Sequence, residues 1–180
     1  AREQALSLQC EAWEIDKNLH PSLKKTLETC AVAVRKTGAY FTSSVQTVDF
    51  VTEYNSFLTS VKMVKPTHAI LNPPYKKISS DSAHRHALRV MGVETGNLYS
   101  AFVALALIAL ERGGELVAIT PRSFCNGPYF KPFRKLLLES ASLERIHLFQ
   151  SRTDAFKDDD VPQENVIFHL IKGKKQGRVE

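Results

Sequence analysis

A short motif in the middle of the chain, Asn72-Pro73-Pro74-Tyr75, carries the residue types best suited to chemistry, and it follows the apolar run Ala69-Ile70-Leu71. Two consecutive prolines end a strand, because each lacks an N–H group and has φ fixed at about −65°. Asn72 precedes a proline and therefore favours an extended conformation. The motif predicts a rigid turn in which an amide oxygen and a carbonyl oxygen lie beside an aromatic ring. Such a turn suits a planar group with an exocyclic NH₂, although an ordinary strand-ending turn has the same pattern.

Further motifs lie in a fixed order around this turn. Glu14 stands in Trp13-Glu14-Ile15-Asp16, and Asp49-Phe50 follows Val48. After the turn come Asn97-Leu98-Tyr99, Pro121-Arg122-Ser123-Phe124 and Gln163-Glu164-Asn165-Val166-Ile167. In this order the motifs resemble the gamma class of S-adenosylmethionine-dependent N6-adenine DNA methyltransferases, in particular the modification enzymes of restriction–modification systems. The resemblance extends over nearly the whole chain.

The resemblance implies that the turn is the catalytic methyl-acceptor site. The side-chain oxygen of Asn72 and the carbonyl oxygen of Pro73 would accept hydrogen bonds from the adenine amino group, and Pro74 completes the rigid turn. Two acceptors draw that nitrogen toward tetrahedral geometry and free its lone pair. Tyr75 would stack on the base, with Phe156 as a second aromatic clamp, although a loop phenylalanine is also a common core residue. Because such a site cannot reach a base inside a duplex, the adenine must be flipped out of double-stranded DNA.

The resemblance also implies that S-adenosyl-L-methionine is the cofactor. Glu14 would accept hydrogen bonds from both ribose hydroxyls, for which a carboxylate is well suited. Asp49 would accept a hydrogen bond from the cofactor's adenine, Phe50 would pack on the ring, and Ile15 on its opposite face. Two structural alternatives stay open: a solvated Glu14 at a strand end, and an Asp49 that caps the following helix. This chemistry needs no metal, and the sequence contains neither a Cys-x-x-Cys pair nor a His-Glu-x-x-His run.

Basic residues flank the predicted base pocket. We expect Lys76, Lys77, Arg85 and Arg89 to contact DNA phosphates, which position a nucleic acid without reading its sequence. A solvated charged face is the alternative for this group, and Arg122 is expected either to serve likewise or to pair with a carboxylate. The net charge of +5 agrees with a polyanionic partner. The resemblance implies a restriction endonuclease, as a subunit or a domain, as a further partner.

Three other functions stay open. The same turn occurs in methyltransferases that act on RNA adenine N6 and on a glutamine amide of translation release factors. The basic segment 76–96 favours DNA modification, and the glycine-rich acidic stretch of release-factor enzymes does not follow the turn. The third alternative is a non-catalytic remnant, a binding module, because no Gly-x-Gly turn occurs within the 180 residues.

The order of secondary-structure elements places the motifs at strand ends. Short apolar strands alternate with helices, which predicts an α/β sheet. Strands are predicted over 8–15, 40–49, 67–71, 115–120, 143–150 and 165–172, and helices over 21–34, 52–62, 82–91, 97–112 and 129–140. No helix joins the last two strands, which predicts a C-terminal antiparallel pair, and the lysine-rich tail from Lys172 is expected to fray. The resemblance implies the Rossmann-like fold of class I S-adenosylmethionine-dependent methyltransferases.

The position of Glu14 predicts that part of this fold lies outside residues 1–180. In nucleotide-binding sheets, the acidic ribose-binding residue follows the glycine-rich turn of the first strand by about 20 residues. If Glu14 is that residue, the turn falls before Ala1. We therefore expect a partial methyltransferase catalytic domain, without its first strand, its N-terminal cofactor-loop segment or a target-recognition domain.

The cysteines and the hydropathy of the sequence indicate the cellular compartment in which the protein acts. Cys10, Cys30 and Cys125 are few and widely spaced, which argues against a disulfide framework. No apolar run reaches the roughly 18 residues of a membrane span. We expect a cytoplasmic protein.

Overall fold

The computed structural model describes residues 6–59, 64–149 and 164–180, and the chain divides into two compact units, Ala1–Glu53 and Tyr54–Glu180. Strands and helices alternate as predicted. In chain order they are β1 (Ser7–Trp13), α1 (His20–Arg35), β2 (Tyr40–Gln46), α2 (Phe50–Thr59), β3 (His68–Leu71), α3 (Ala83–Val90), α4 (Leu98–Ala109), β4 (Glu115–Pro121), α5 (Lys131–Ser140), β5 (Ala141–Leu148) and β6 (Asn165–Lys172), with 3₁₀ helices at Lys17–Leu19 and Arg122–Cys125.

The N-terminal unit is a parallel strand pair with its connecting helix. β1 and β2 pair in register from Ser7 with Tyr40 to Trp13 with Gln46. α1 has Pro21 in its first turn, where the missing N–H group is not needed, and it packs against β2. Most side chains of the two strands are exposed or half-buried.

The C-terminal unit is built on a four-stranded sheet in the order β3-β4-β6-β5. β3 and β4 are parallel, whereas β6 is antiparallel to both β4 and β5, so the predicted antiparallel pair is confirmed. One face of the sheet is buried through the alternating residues Leu116, Ala118, Val166, Phe168 and Leu170. α4 is buried on nearly all sides, and α5 packs against both α4 and β5.

The strands form two sheets rather than one. Within the described residues, neither β1 nor β2 is hydrogen-bonded to a strand of the four-stranded sheet.

The expectation that the lysine-rich tail frays is wrong. Ile146 N donates to the carbonyl oxygen of Glu180 (2.8 Å), and Glu180 N donates to that of Glu144 (2.9 Å). The Gln176 side-chain amide bonds both backbone groups of Leu143, each at 2.9 Å. The tail therefore covers the free edge of β5, whose backbone groups would otherwise lack partners.

The helix lengths can be compared with the expectation that no apolar run is long enough to span a membrane. In the described ranges, no helix combines the length and the apolar character that crossing a bilayer requires.

Candidate active site

The predicted turn follows β3 directly and is held by backbone hydrogen bonds. Asn72 is exposed, Pro73 is buried and Pro74 is exposed. Beyond Tyr75, Leu98 N donates to the carbonyl oxygen of Lys76 (2.8 Å), and the neighbouring backbone bond from Ile78 to Gly96 has the same length. A single β-bridge thus ties the segment after the turn to the start of α4. The turn presents the Asn72 amide on a fixed backbone.

Tyr75 lies against a buried tyrosine. The rings of Tyr75 and Tyr99 meet edge to face, with centroids 6.2 Å apart and an interplanar angle of 84°. Tyr99 is buried, and its hydroxyl lies 3.2 Å from Oγ of Ser123. Burial raises the pKa of Tyr75, and burial likewise raises the pKa of Tyr99 to about 12. Both buried phenols therefore lose their protons only at a higher pH than an exposed tyrosine does.

The Tyr75 hydroxyl itself is buried and has no hydrogen-bond partner among the described residues. A buried phenol without a partner costs about 1–3 kcal/mol. The ring is thus held in place by packing rather than by its hydroxyl.

A pocket of about 310 Å³ opens beside the turn. Its volume is at the lower end of ligand pockets, so it suits one small planar group. Four aromatic rings, two polar side chains, one lysine and one proline contribute to its wall: Tyr75, Lys77, Asn97, Tyr99, Pro121, Ser123, Tyr129 and Phe130.

Two aromatic residues of the pocket wall were not predicted from the sequence as site residues. The sequence predicts Tyr129 and Phe130 as the first residues of the helix over 129–140, whereas in the structure they precede α5. The available signal was the Gly127-Pro128 pair, in which Gly127 has a φ of +71° and ends the preceding segment before the aromatic pair. Arg134 fixes this segment by donating to the carbonyl oxygens of residues 124, 126 and 127 at 2.9, 2.9 and 2.6 Å.

The predicted cofactor residues come together in the N-terminal unit. Because β1 and β2 are parallel, their carboxyl ends lie side by side, and Glu14 N donates to the carbonyl oxygen of Gln46 (3.0 Å). Asp49 and Phe50 follow the neighbouring strand. The Phe50 ring is buried, with its centroid 5.2 Å from that of Trp13. Ile15 is 60% exposed on the same edge.

The two carboxylates have different local roles. Asp49 Oδ1 accepts hydrogen bonds from Val51 N (2.9 Å) and Thr52 N (3.0 Å), so Asp49 caps α2, as the structural alternative predicted. Glu14 is half-buried, and its Oε1 accepts a hydrogen bond from Asp16 N (2.7 Å). Glu14 Oε2 has no partner in the part of the chain that the structure describes. The role of Glu14 at the cofactor ribose stays a prediction.

The basic residues separate into two groups. Lys76, Lys77 and Arg89 are exposed. Arg85 instead pairs with Glu94 and also donates to the carbonyl oxygen of Thr95, and its side chain is only 16% exposed. Its place at a phosphate stays a prediction, which this pairing does not favour.

The remaining predictions concern one arginine, one phenylalanine and metal binding. Arg122 takes the carboxylate alternative, because its guanidinium lies 3.2 Å from Glu164 Oε2. Phe156 lies outside the described residues. The described residues contain no group of three or more His, Cys, Asp or Glu side chains arranged to hold a metal ion.

Comparisons with known proteins agree with this architecture. A solved Listeria monocytogenes structure assigned to the class I S-adenosylmethionine-dependent methyltransferases superimposes with a TM-score of 0.59 at 13% identity, covering 99% of this chain and 57% of that one. At this identity the likeness shows the fold, and the fold is that of the methyltransferase class whose methyl donor is S-adenosyl-L-methionine. The model of the family described as Eco57I restriction-modification methylase matches residues 35–156. The chain belongs to this family.

Two relatives extend the similarity over most of the chain. The type II methyltransferase M.PstI of Providencia stuartii is 45% identical over 176 residues, which cover 97% of this chain and 35% of that protein. The type II methyltransferase M.BsuBI of Bacillus subtilis is 50% identical over 174 residues, which cover 93% of this chain and 34% of that protein. The chain thus spans about a third of the length of these relatives. The predicted resemblance to restriction–modification methylases is confirmed.

Proposed function

We propose that this protein transfers a methyl group from S-adenosyl-L-methionine to the N6 amino group of adenine in double-stranded DNA, as the modification enzyme of a restriction–modification system. The observation that carries the proposal is the exposed Asn72 amide on a rigid turn after β3, in a chain of the restriction-modification methylase family. The turn suits a planar NH₂ group, and the match to a restriction-modification methylase family favours DNA as the molecule that carries it.

The turn supplies the acceptor chemistry. The Asn72 side-chain oxygen and the Pro73 carbonyl oxygen each accept a hydrogen bond from the adenine amino group. This arrangement localises the nitrogen lone pair toward the methyl donor, and alignment of the two reactants supplies much of the rate enhancement. Tyr75 stacks on the flipped base, and its edge-to-face contact with the buried Tyr99 ring supports this role. Phe156 is proposed for the opposite face of the base.

The N-terminal unit holds the cofactor in this proposal. S-adenosyl-L-methionine supplies an electrophilic methyl group on a sulfonium centre. Glu14 accepts hydrogen bonds from the ribose hydroxyls, Asp49 accepts one from the cofactor's adenine, and Phe50 and Ile15 contact that ring. The shared strand edge of Glu14 and Asp49 supports the assignment.

The chain is proposed to be one part of a longer catalytic domain. The separation of the strands into two sheets, and the roughly threefold greater length of the relatives, support a cofactor loop and a target-recognition domain elsewhere in the protein. Lys76, Lys77 and Arg89 contact DNA phosphates around the flipped adenine. Because the substrate is DNA, we expect the protein to act in the cytoplasm, beside a restriction endonuclease subunit or domain.

The family match ranks the alternatives. RNA adenine and release-factor glutamine present the same planar NH₂ group, but the relatives at 45% and 50% identity are type II methyltransferases. A non-catalytic remnant would keep the fold without methyl transfer. One assay separates these functions, namely methyl transfer by the full-length protein to duplex DNA, RNA and release factor offered in parallel.

Asn72→Ala in the full-length protein tests the catalytic assignment. Removal of one of two charge-organising acceptors is expected to slow methyl transfer by about 10²–10³-fold. Asn126→Ala, an exposed asparagine outside the turn, serves as the matched control and should retain the parental rate. Near-parental turnover by the Asn72 variant would remove this residue from the mechanism, and methylation of RNA or release factor without DNA would favour an alternative.

A further inference from the structure

The exposed ring of Tyr129 is a feature that the proposed mechanism does not use. Its side chain is 61% exposed, yet it lines the pocket that Tyr75 also lines. Exposed aromatic rings beside a basic residue are the usual stacking surfaces for unpaired bases, because every base has a π-face. Lys77 supplies the basic residue in the same pocket.

The Tyr129 ring is held at both ends, unlike most exposed side chains. At its base, the ring meets that of Phe130 edge to face, with centroids 4.7 Å apart and an interplanar angle of 85°. At its tip, the hydroxyl accepts a long hydrogen bond (3.5 Å) from Nδ2 of Asn97. These contacts fix the ring before any ligand arrives, so little conformational entropy is lost on stacking.

Gly96 makes the second of these contacts geometrically feasible. A Cβ atom at Gly96 would overlap with Oη of Tyr129 and would lie 3.2 Å from its Cζ. The tyrosine hydroxyl therefore occupies space that only a glycine leaves open. Gly96 is in turn tied to the segment after the catalytic turn, because Ile78 N donates to its carbonyl oxygen (2.8 Å). This backbone hydrogen bond links the rim of the pocket to the segment that follows the catalytic turn.

We propose that Tyr129 is a base-stacking residue that receives an unstacked DNA base in the pocket shared with Tyr75. The pocket volume of about 310 Å³ is at the lower end of ligand pockets, and Lys77 on its wall supplies a cation for a nucleic-acid phosphate. The inference rests on the proposed function, since DNA is the substrate. The base is either the flipped adenine or a neighbour that loses its stacking partner when the adenine leaves the duplex.

Equilibrium binding by the full-length protein tests the proposal, with a duplex that carries its methylation site as mapped in host DNA. Tyr129→Ala is expected to weaken DNA binding by about 5- to 150-fold, the range that stacking of one base represents. Tyr129→Phe keeps the ring and should bind within about twofold of the parent, since the hydroxyl makes only a long hydrogen bond. Tyr40→Ala removes an equally exposed tyrosine (68%) from β2 and should leave binding unchanged.

A double substitution separates stacking from a general structural effect. Gly96→Ala should displace the Tyr129 ring and lose part of the DNA affinity. Gly96→Ala combined with Tyr129→Phe should regain it, because the overlapping hydroxyl is gone. Thermal unfolding of the two Tyr129 single variants should remain at the parental temperature, since Tyr129 is exposed.

Fluorescence of 2-aminopurine distinguishes the two sources of the base. We place the probe at the target adenine, at either neighbour, or opposite the target, and compare the parent with Tyr129→Ala. Stacking quenches the probe, so only the position that rests on Tyr129 should brighten in the variant. Unchanged DNA affinity in Tyr129→Ala, or no position that brightens, would overturn this inference. Absence of DNA methylation by the parental protein would instead defeat the proposed function.

Discussion

The two units of the chain differ in how completely they bury their own side chains. In the C-terminal unit, core positions of β4 and β6 such as Leu116 and Phe168 are at most 2% exposed. In the N-terminal unit, Leu8 of β1 is 48% exposed and Tyr40 of β2 is 68% exposed. The acceptor turn therefore stands on a well-packed sheet, whereas the proposed cofactor residues stand on a strand pair with open surfaces.

The two units therefore differ in what holds their proposed site residues in place. Two hydrogen-bonded strands alone bury too little surface for independent stability, and a third strand or a helix face must cover them. The acceptor turn depends mainly on β3, β4 and the start of α4, all within one unit. The turn is therefore held by contacts within one unit, whereas the proposed cofactor residues stand on a strand pair that α1 covers and whose side chains stay exposed or half-buried.

The largest expected effect concerns the cofactor. We predict that residues 1–180 alone show no S-adenosyl-L-methionine binding at low micromolar concentration, although Glu14, Asp49 and Phe50 are present. The glycine-rich turn lets backbone and cofactor approach closely, and the chain contains no Gly-x-Gly sequence. Calorimetric titration is the measurement. A stoichiometric heat signal in the low micromolar range would mean that the N-terminal unit is already a complete cofactor site.

The second prediction compares the stability of the two units. Phe168→Ala should lower the free energy of unfolding by about 3–5 kcal/mol, because the ring is buried against Phe124 with centroids 5.4 Å apart. Leu8→Ala, an apolar truncation in β1, should cost less than about 1 kcal/mol, since the side chain is half-exposed. Urea unfolding of the 180-residue chain measures both. Equal losses would show that the strand pair is packed as tightly as the larger sheet.

The third prediction concerns the acceptor turn. Tyr75→Phe removes a buried hydroxyl without a described partner, so the free energy of unfolding should rise by about 1–3 kcal/mol. Tyr40→Phe removes an exposed hydroxyl and is the matched control. Burial raises the pKa of Tyr75 above the ordinary 10.0, so this phenol contributes stability that is lost as the pH rises through that higher pKa, and the phenylalanine variant lacks only this contribution to the loss. The advantage of the variant should therefore widen above pH 10. A loss of stability instead would indicate that the hydroxyl has a partner.

The elements that the sequence predicts correctly depend on local signals, whereas the missed ones depend on contacts between residues far apart in the chain. Strand β6 was predicted at its observed bounds, because its apolar residues and the following glycine are local signals. The tail was not, because its pairing with β5 depends on Gln176 and Glu180 meeting residues more than thirty positions away. The turn at Asn72 was readable from two prolines. The pocket wall at Tyr129 was not, because the close approach to Gly96 exists only in the folded chain.

The smallest expected effect concerns Asp49, which caps a helix and is also proposed to bind the cofactor. Its Oδ1 caps α2, and loss of such a cap costs about 1 kcal/mol, so Asp49→Ala should lower the free energy of unfolding by that amount. Asp49→Ser restores a capping oxygen but has no carboxylate, and its stability should stay within a few tenths of a kcal/mol of the parent.

Cofactor affinity of the full-length protein then identifies the second role. Both variants should bind S-adenosyl-L-methionine equally weakly if the carboxylate accepts a hydrogen bond from the cofactor's adenine. Parental affinity in Asp49→Ser, measured with the same preparations, would leave Asp49 as a helix cap alone. The N-terminal unit would then hold the nucleoside through Glu14 and the Phe50 ring.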